Sequence, residues 1–278
     1  MYQKKYEELK FTDDFMFCKI LMGNKDICKE IIELLLGVKV KNIVYLEEQK
    51  PIEITSDGKG IRLDVYLEDG NTVYDLEMQT TISKDIAKRS RYYQGMIDLN
   101  LISRGAAYSE LKESYIVFIC LEDLFKKNRS LYTFSNICLE DNELILEDGT
   151  TRVFVNASGS RDGLTSAQIA FLDYVSGKEP TDELTTKLSM EVKRARDKEE
   201  WRNEYMTLLQ RDREKYEEGK VEGRAEGRAE GKAEGKAEGK AEALIALVTD
   251  GLLDIDIAAK RLNKSPEELL EIINNNRK

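Results

Sequence analysis

IRLDVYLEDGNTVYDLEMQT, residues 61–80, is the segment from which the architecture of this chain can be predicted. Two runs of alternating apolar and polar residues flank Asp69-Gly70, a pair suited to the positive φ angles of a type I′ turn. The pattern predicts a β-hairpin with Asp69 and Gly70 as its two turn residues. In that register Asp64 lies directly opposite Asp75, and Glu77 lies diagonally from Asp64.

The hairpin has one apolar and one polar face, because successive side chains of a strand point to opposite sides. The apolar face is predicted to lie on the core, whereas the polar face carries three carboxylates. Opposed like charges destabilise a sheet unless they are protonated, neutralised by a basic neighbour or bound to a divalent cation. Oxygen ligands without His or Cys suit Mg²⁺ or Mn²⁺. The alternative is that these acids occupy an ordinary solvated strand face. The apolar set is Leu63, Val65, Leu67, Tyr74, Leu76 and Met78, and the polar set is Arg62, Asp64, Asp75, Glu77 and Gln79.

Helical and strand patterns precede and follow the hairpin. TDDFMFCKILMGNKDICKEIIELLLG, residues 12–37, has apolar residues at helical spacing, with Thr12 as N-cap and Gly37 as the stop. It predicts one helix broken near Gly23, or two helices. NIVYL (42–46) and KPIEIT (50–55) predict a strand or a hairpin, and a long helix is predicted from about Ser83 to Ser103.

Further strands are predicted after that helix. ESYIVFICL, residues 113–121, is a continuous apolar run, which is typical of a strand covered on both faces. LYTFSNICLEDNELILEDGTTRVFVNAS, residues 131–158, predicts two or three antiparallel strands with a turn at Asp148-Gly149. The predicted fold class is α/β: a mixed sheet with the order α-β-β-β-α-β, an added β-hairpin and a long α-helical C-terminal extension.

Composition excludes several classes of function. The 278 residues are 41% hydrophobic, which is enough for a core, and 35% charged, without an apolar run that could span a membrane. The absence of histidine excludes mechanisms that need an imidazole. The N-terminal MYQKKYEELK lacks the apolar stretch of a secretory signal. The cysteines never form a Cys-x-x-Cys pair and predict buried thiols in a reducing cytoplasm; they are Cys18, Cys28, Cys120 and Cys138.

Three regions are predicted along the chain: a globular domain over residues 1–180, a charged helix and repeat arm over 181–242, and a small helical module over 243–278. From Gly219 to Gly239 glycine recurs every fourth residue, which aligns acid with acid and base with base along a helix. Such a helix is unstable alone, but two copies can approach along their Gly and Ala rows. We therefore predict an assembly arm that makes a homo-oligomer; a flexible tether is the alternative.

The last module predicts three short helices, the last of them capped by Ser265 with Pro266 at its first position. Residues 254–278 contain five basic and five acidic side chains. This balance favours dimerisation or packing over recognition of a DNA groove.

Four stretches, in this order, resemble a known family. Asp64, twelve further residues and Glu77-Met78-Gln79 resemble the D…(D/E)-x-K site of PD-(D/E)XK nucleases, with glutamine in place of lysine. The wider match is to the Rpn family of recombination-promoting nucleases or putative transposases, over about residues 11–125. The four stretches are DDFMFCKIL (13–21), RLDVYLEDGNTVYDLEMQ (62–79), KRSRYYQGMIDLNLISRGAAYSEL (88–111) and YIVFICLEDLF (115–125).

The resemblance implies a restriction-endonuclease-like fold that cuts double-stranded DNA with a divalent metal. Asp64 and Glu77 would hold Mg²⁺, or Mn²⁺, with the Met78 carbonyl as a third ligand. Gln79 would be catalytic by orienting water, but an amide cannot take a proton at neutral pH. A second metal, or a lysine from the following helix, would then supply the base. Asp75 and Asp14 are predicted to support these ligands from a second layer.

The helix after the hairpin is predicted to bind DNA. Lys84, Lys88 and Arg91 recur at i, i+4 and i+7 and so form one basic face; ordinary solvated cations are the alternative. The formal net charge of −10 predicts weak, salt-sensitive DNA binding by one protomer. The predicted function is a DNA endonuclease linked to recombination, mobile elements or defence. An RNA nuclease, or an inactive binding or regulatory module on a nuclease fold, remains the alternative.

Overall fold

A computed structural model describes residues 4–52, 59–81 and 84–275 of the chain. It contains two compact units, Met1–Met206 and Thr207–Lys278. The predicted boundaries at residues 180 and 242 stay a prediction. The boundary between the two compact units lies after Met206 instead.

A six-stranded mixed sheet forms the centre of the N-terminal unit, with the strand order β1-β2-β3-β4-β6-β5. The first three strands are antiparallel, β4 is parallel to both β3 and β6, and β5 is antiparallel to β6. The strands are β1 (Tyr45–Ile52), β2 (Ile61–Asp69), β3 (Thr72–Gln79), β4 (Glu113–Cys120), β5 (Leu131–Phe134) and β6 (Thr150–Asn156).

Eight α-helices occur in the described residues, and their order confirms the α-β-β-β-α-β prediction. The first predicted helix is two helices, and the second of them ends at Gly37, whose φ of 67° is left-handed. The helices are α1 (Asp14–Gly23), α2 (Lys25–Leu36), α3 (Ile86–Leu101), α4 (Ser166–Val175), α5 (Glu183–Arg196), α6 (Glu199–Thr249), α7 (Ile255–Arg261) and α8 (Pro266–Asn275).

Several predicted ends differ from the structure. Asp13, not Thr12, is the N-cap of α1, because the Asp13 carbonyl accepts the hydrogen bond from Phe17 N at 2.9 Å. Helix α3 ends at Leu101, earlier than predicted. The predicted start at Ser83 and residues 53–55 of the KPIEIT strand lie outside the described residues.

The predicted register of the hairpin was wrong by two residues. Asp69 pairs with Thr72, so the turn is Gly70-Asn71, and Tyr66 pairs with Asp75. The Asp69 carboxylate accepts hydrogen bonds from the backbone N of residues 41 and 42, which holds Asp69 at the end of the strand. Only Gly70 of the turn has positive φ, the pattern of type II′. A shift of two keeps every side chain on its predicted face but moves Asp64 across from Glu77.

The polar face of the hairpin is not solvated. Helix α3 packs over it and forms a core with residues of the sheet, so Asp75 and Glu77 are only 1% and 2% exposed. Helix α1 contacts β1 and β2. The alternative of acids on an ordinary solvated strand face is therefore wrong. The α3 core includes Ile86, Met96, Ile97, Tyr66, Ile116, Phe118 and Phe154.

The predicted added hairpin is built differently from the expectation. Strands β5 and β6 are antiparallel, but β6 lies between β4 and β5 and pairs in parallel with β4. The NELIL run makes one isolated bridge, between Ile137 and Ile145, instead of a third strand. The apolar run Val153–Val155 is buried, which explains why β6 takes an interior place in the sheet.

The C-terminal unit contains the repeat and a small core. The repeat lies within α6, and two short helices follow where three were predicted over residues 243–278. Ser265 caps α8 as predicted, since its hydroxyl accepts from Glu268 N at 3.2 Å. The core consists of Leu244, Ala258, Ala259, Leu269 and Ile273. Within the described residues, no helix combines the length and the apolar character needed to cross a membrane.

Gly159 is required by a close approach of two backbone segments. A Cβ at this position would lie 2.5 Å from the Arg129 carbonyl group, just before β5. We expect Gly159→Ala to lower the free energy of unfolding by about 1–3 kcal/mol, because backbone must move to relieve the overlap. Gly95→Ala, in open space on α3, should instead raise it by up to about 1 kcal/mol. Urea denaturation compares the two; equal stability of both variants would contradict the assignment.

Candidate active site

Two hydrogen bonds between β2 and β3 join Asp64 to the Glu77-Met78 segment. The Asp64 backbone N donates to Glu77 Oε1 at 2.9 Å. In return, the Met78 backbone N donates to Asp64 Oδ2 at 3.0 Å. Each carboxylate is thus oriented by the backbone of the other strand. The observed register of the hairpin therefore brings the two predicted catalytic acids together.

Arg89 on α3 is the cation that contacts these acids. Its Nη2 lies 3.4 Å from Glu77 Oε2, and its guanidinium lies over the rings of Tyr93 and Phe118. Sequence reasoning missed Arg89. A usable signal was present, because Arg89 falls on the same helical stripe as the apolar Ile86 and Tyr93. A charged side chain on a buried stripe is expected to have a charged partner.

Asp75 is the most deeply buried of the acids. Neither of its carboxylate oxygens accepts a hydrogen bond from a donor group. Its neighbour is the carboxyl group of Glu77, and two carboxyl groups can hydrogen-bond each other only if one keeps a proton. Burial, followed by repulsion from Asp64, raises the pKa of Asp75 well above its ordinary value.

The whole cluster carries more negative charge than its surroundings neutralise. Burial, and next the charge of Asp14, raises the pKa of Asp64 to about 7. Burial also raises the pKa of Glu77 well above its ordinary value, with repulsion from Asp75 as the next cause. Arg89 opposes all three shifts but does not cancel them. A bound cation would favour the ionised carboxylates.

Asp14, a weaker candidate in the sequence, lies beside Asp64. Oxygens of these two residues and the Cys18 sulfur all lie within 4.8 Å of one another. The Cys18 sulfur is also 3.4 Å from the backbone oxygen of Asp64. Burial raises the pKa of the Cys18 thiol strongly, so it stays protonated and is a poor ligand. The available donors are carboxylate oxygens, which fit Mg²⁺ or Mn²⁺.

Met78 and Gln79 complete the predicted catalytic strand. The Gln79 side-chain Nε2 donates to the Met78 carbonyl at 3.1 Å. This contact uses one of the two lone pairs of that carbonyl and leaves the other for a ligand. It also leaves the amide oxygen of Gln79 available to accept a hydrogen bond from water.

An open cavity of about 1010 Å³ lies over these residues. Of the three predicted DNA-binding residues, Lys88 and Arg91 line it. Lys84 is described but precedes α3 and is not among the lining residues, so the predicted i, i+4, i+7 face is incomplete. Two further cations, Lys59 and Arg62, line the cavity from the β2 side. The wall also includes Asp14, Asp64, Glu77, Met78, Gln79, Arg89, Tyr92 and Tyr93.

A mixed sheet in this order, with two carboxylates on adjacent strands under a cavity lined by cations, defines a site of the PD-(D/E)XK nuclease class. The family model of PD-(D/E)XK nuclease family transposases matches residues 11–220. This is 210 of the 278 residues, so the chain belongs to that family. Its fold is restriction-endonuclease-like, as predicted, and the family's substrate class is nucleic acid. No curated protein and no solved structure gives a significant match to the chain.

The buried acids predict an unusual pH dependence for the protein in EDTA. A carboxyl group whose pKa is raised by folding keeps a proton that the unfolded chain releases. The unfolding free energy therefore falls as pH rises from about 4, the usual carboxyl pKa, towards the raised folded value. We expect Asp75→Asn to be more stable than the wild type, by a margin that grows from pH 5 to 7, in urea denaturation.

Asp173→Asn is the matched control for this pH series. Hydrogen bonds from Arg161 and Lys178 lower the pKa of Asp173 despite the opposing effect of its slight burial. Its contribution to stability is present above the unfolded pKa and is lost only as pH falls below it. Asp173→Asn should therefore be less stable than the wild type by a constant margin from pH 5 to 7. A margin for Asp75→Asn that stays flat over this range would contradict the charge assignment.

Proposed function

We propose that this protein is a divalent-metal-dependent DNA endonuclease that hydrolyses phosphodiester bonds in recombination, mobile-element or defence processes. The observation that carries the proposal is the pair of hydrogen bonds that joins Asp64 to Glu77 and Met78 in the wall of the cation-lined cavity. Buried carboxylates are costly in a structural role, so their presence in an open cavity favours a ligand-binding role.

The residues that would hold Mg²⁺, or Mn²⁺, are Asp64, Glu77, the Met78 carbonyl and Asp14. When bound, such a metal acts as a Lewis acid on a phosphoryl oxygen and lowers the pKa of a bound water. Adding Asp14 to the ligands rests on its place beside Asp64. No donor group hydrogen-bonds to the Asp75 carboxylate, which lies two residues before Glu77. We therefore assign Asp75 a supporting role next to the metal ligands.

The residues of the cavity wall have separate roles. Lys88 and Arg91, both exposed on α3, bind the phosphates on either side of the scissile bond. Gln79 orients the attacking water through its amide oxygen and takes no proton. The base that Gln79 lacks would come from a second metal, or from Lys88 acting in its neutral form instead of binding phosphate. Double-stranded DNA is the proposed substrate; RNA is the competing substrate.

Isosteric substitutions test the catalytic assignment. Asp64→Asn and Glu77→Gln keep the shape of the site but remove the charges that bind a cation. We expect each to lower the rate of plasmid nicking in Mg²⁺ at least ~100-fold, since each removes a metal ligand that supports the transition state. EDTA should have the same effect on the wild type. The measurement is the nicking rate on agarose gels, with a labelled RNA run in parallel.

Glu183→Gln, an exposed acid of α5, is the matched control and should nick at the wild-type rate. Equal nicking by the wild type, Asp64→Asn and Glu77→Gln would refute the catalytic assignment. Cleavage of RNA without DNA would replace the substrate. Binding of DNA without any cleavage would favour the inactive binding module.

We also propose that the repeat arm joins copies of this chain into a homo-oligomer. In α6 the repeat glycines are exposed, and a Cβ built on each meets nothing within 4 Å. Small residues along one row let two helices approach closely, with the acidic row of one facing the basic row of the other.

The cytoplasmic location predicted from the cysteines stays a prediction.

Two sets of substitutions separate close approach from helix stability. Replacing Gly223, Gly227, Gly231 and Gly235 by Gln raises helix propensity but blocks the small row, so the oligomer should dissociate. Replacing the same four by Ala raises propensity and keeps the row small, so the oligomer should persist. Sedimentation velocity measures both; an unchanged oligomer in the Gln variant would exclude the repeat as the contact.

A further inference from the structure

Both carboxylate oxygens of Glu77 are already engaged in this structure. Oε1 accepts from the Asp64 backbone N at 2.9 Å, and Oε2 is paired with Arg89 at 3.4 Å. The first contact is to a backbone N–H of β2, and the second is to the guanidinium of Arg89. A cation bound at Oε2 would lie beside this guanidinium, so the two positive charges compete for the same carboxylate.

The contact between Arg89 and Glu77 is a weak one by the standard of this protein. Arg161 donates to one oxygen of Asp173, Oδ1, through two nitrogens, Nε at 3.1 Å and Nη2 at 2.8 Å. Arg89 uses Nη2 alone, at 3.4 Å. Its Nε is buried and has no hydrogen-bond partner. A buried donor without a partner costs free energy. Of the two nitrogens on this edge of Arg89, Nε and Nη2, only Nη2 contacts a carboxylate oxygen.

Arg89 lies where its side chain can contact either Glu77 or a ligand in the cavity. Its side chain is 30% exposed and lines the cavity. The stacking over Tyr93 and Phe118 fixes the plane of the guanidinium but does not bond its nitrogens. The edge formed by Nε and Nη2 matches two oxygens of a phosphate. Release from Glu77 would therefore make a phosphate-binding edge available without moving the helix.

We propose that Arg89 is an electrostatic latch that couples cation binding to phosphate binding. This inference rests on the proposed function. While no divalent cation is bound, Arg89 holds Glu77 Oε2 and neutralises part of the cluster. Once Oε2 is given to a cation, Arg89 turns its Nε–Nη2 edge to a DNA phosphate in the cavity. Arg89 is then a positioning residue for Glu77 in one state and a substrate ligand in the other.

The latch predicts opposite changes in two affinities when Arg89 is replaced. Arg89→Met keeps an apolar stem on the two rings but removes the competitor for Oε2. Calorimetry with Mn²⁺ or Ca²⁺ should therefore show binding to the free protein at least ~5-fold tighter than in the wild type. Fluorescence anisotropy with a short labelled DNA duplex in Ca²⁺ should show DNA binding ~10-fold weaker, within the range of one lost charged contact. A purely structural role would weaken both.

Two further variants make the test specific. Arg89→Lys keeps the charge near Glu77 but lacks the two-nitrogen edge, so cation affinity should stay near that of the wild type while DNA affinity falls. Arg91→Met removes a charge from the same cavity wall without touching Glu77. It should weaken DNA binding equally with and without Ca²⁺ and change cation affinity less than ~2-fold. Circular dichroism in EDTA confirms that each variant is folded.

The outcomes separate the latch from the proposed function. If the wild type binds no Mn²⁺ or Ca²⁺, or binds it as well after Glu77→Gln, the metal site itself is wrong and the latch falls with it. If the wild type binds the cation and Glu77→Gln does not, but Arg89→Met binds it more weakly than the wild type, only the latch is overturned. Tighter cation binding together with weaker DNA binding by Arg89→Met supports it.

Discussion

The reciprocal hydrogen bonds between Asp64 and the Glu77-Met78 segment are the contact on which the rest of the site depends. They tie two carboxylates to the backbones of neighbouring strands, so the acids stay together even though their charges repel. Each bond joins a backbone N–H of one strand to a carboxylate of the other, just beyond the last paired residues Val65 and Leu76, so the sheet fixes where the two acids meet. Helix α3, by closing over this face, then sets the burial of the acids and brings Arg89 to Glu77.

Burial and charge conflict at this site, and the conflict explains its chemistry. Burial favours the neutral form of a carboxyl group, and the pKa values of Asp64, Asp75 and Glu77 are all raised, first by desolvation and next by a neighbouring acid, which for Asp64 is Asp14. Arg89, 3.4 Å from Glu77, opposes these shifts only in part. The remaining excess of acidic groups supports the proposal of a divalent cation, which would also bring positive charge to an acidic protein.

Sequence reasoning succeeded where a local pattern was enough and failed where a contact between distant segments decided. The hairpin, its two faces and the pair Asp64 and Glu77 followed from alternation and family motifs. The register did not, because Asp69 is held by backbone groups of residues 41 and 42, far from it in sequence. Arg89 was missed because its role depends on its contact with Glu77, a residue of another element, and the helical pattern alone does not show that contact.

The amino-acid sequence by itself determined the α-β-β-β-α-β order and the family, and by lacking histidine it excluded mechanisms that need an imidazole. These properties depend on residue type, spacing and order, which are local. Only the tertiary structure decided that β6 lies beside β4, that Asp14 lies beside Asp64, and that Lys84 stays off the cavity while Arg89 enters it. The physical reason is that the packing of α3 and α1 against the sheet fixes distances between segments that no local pattern encodes.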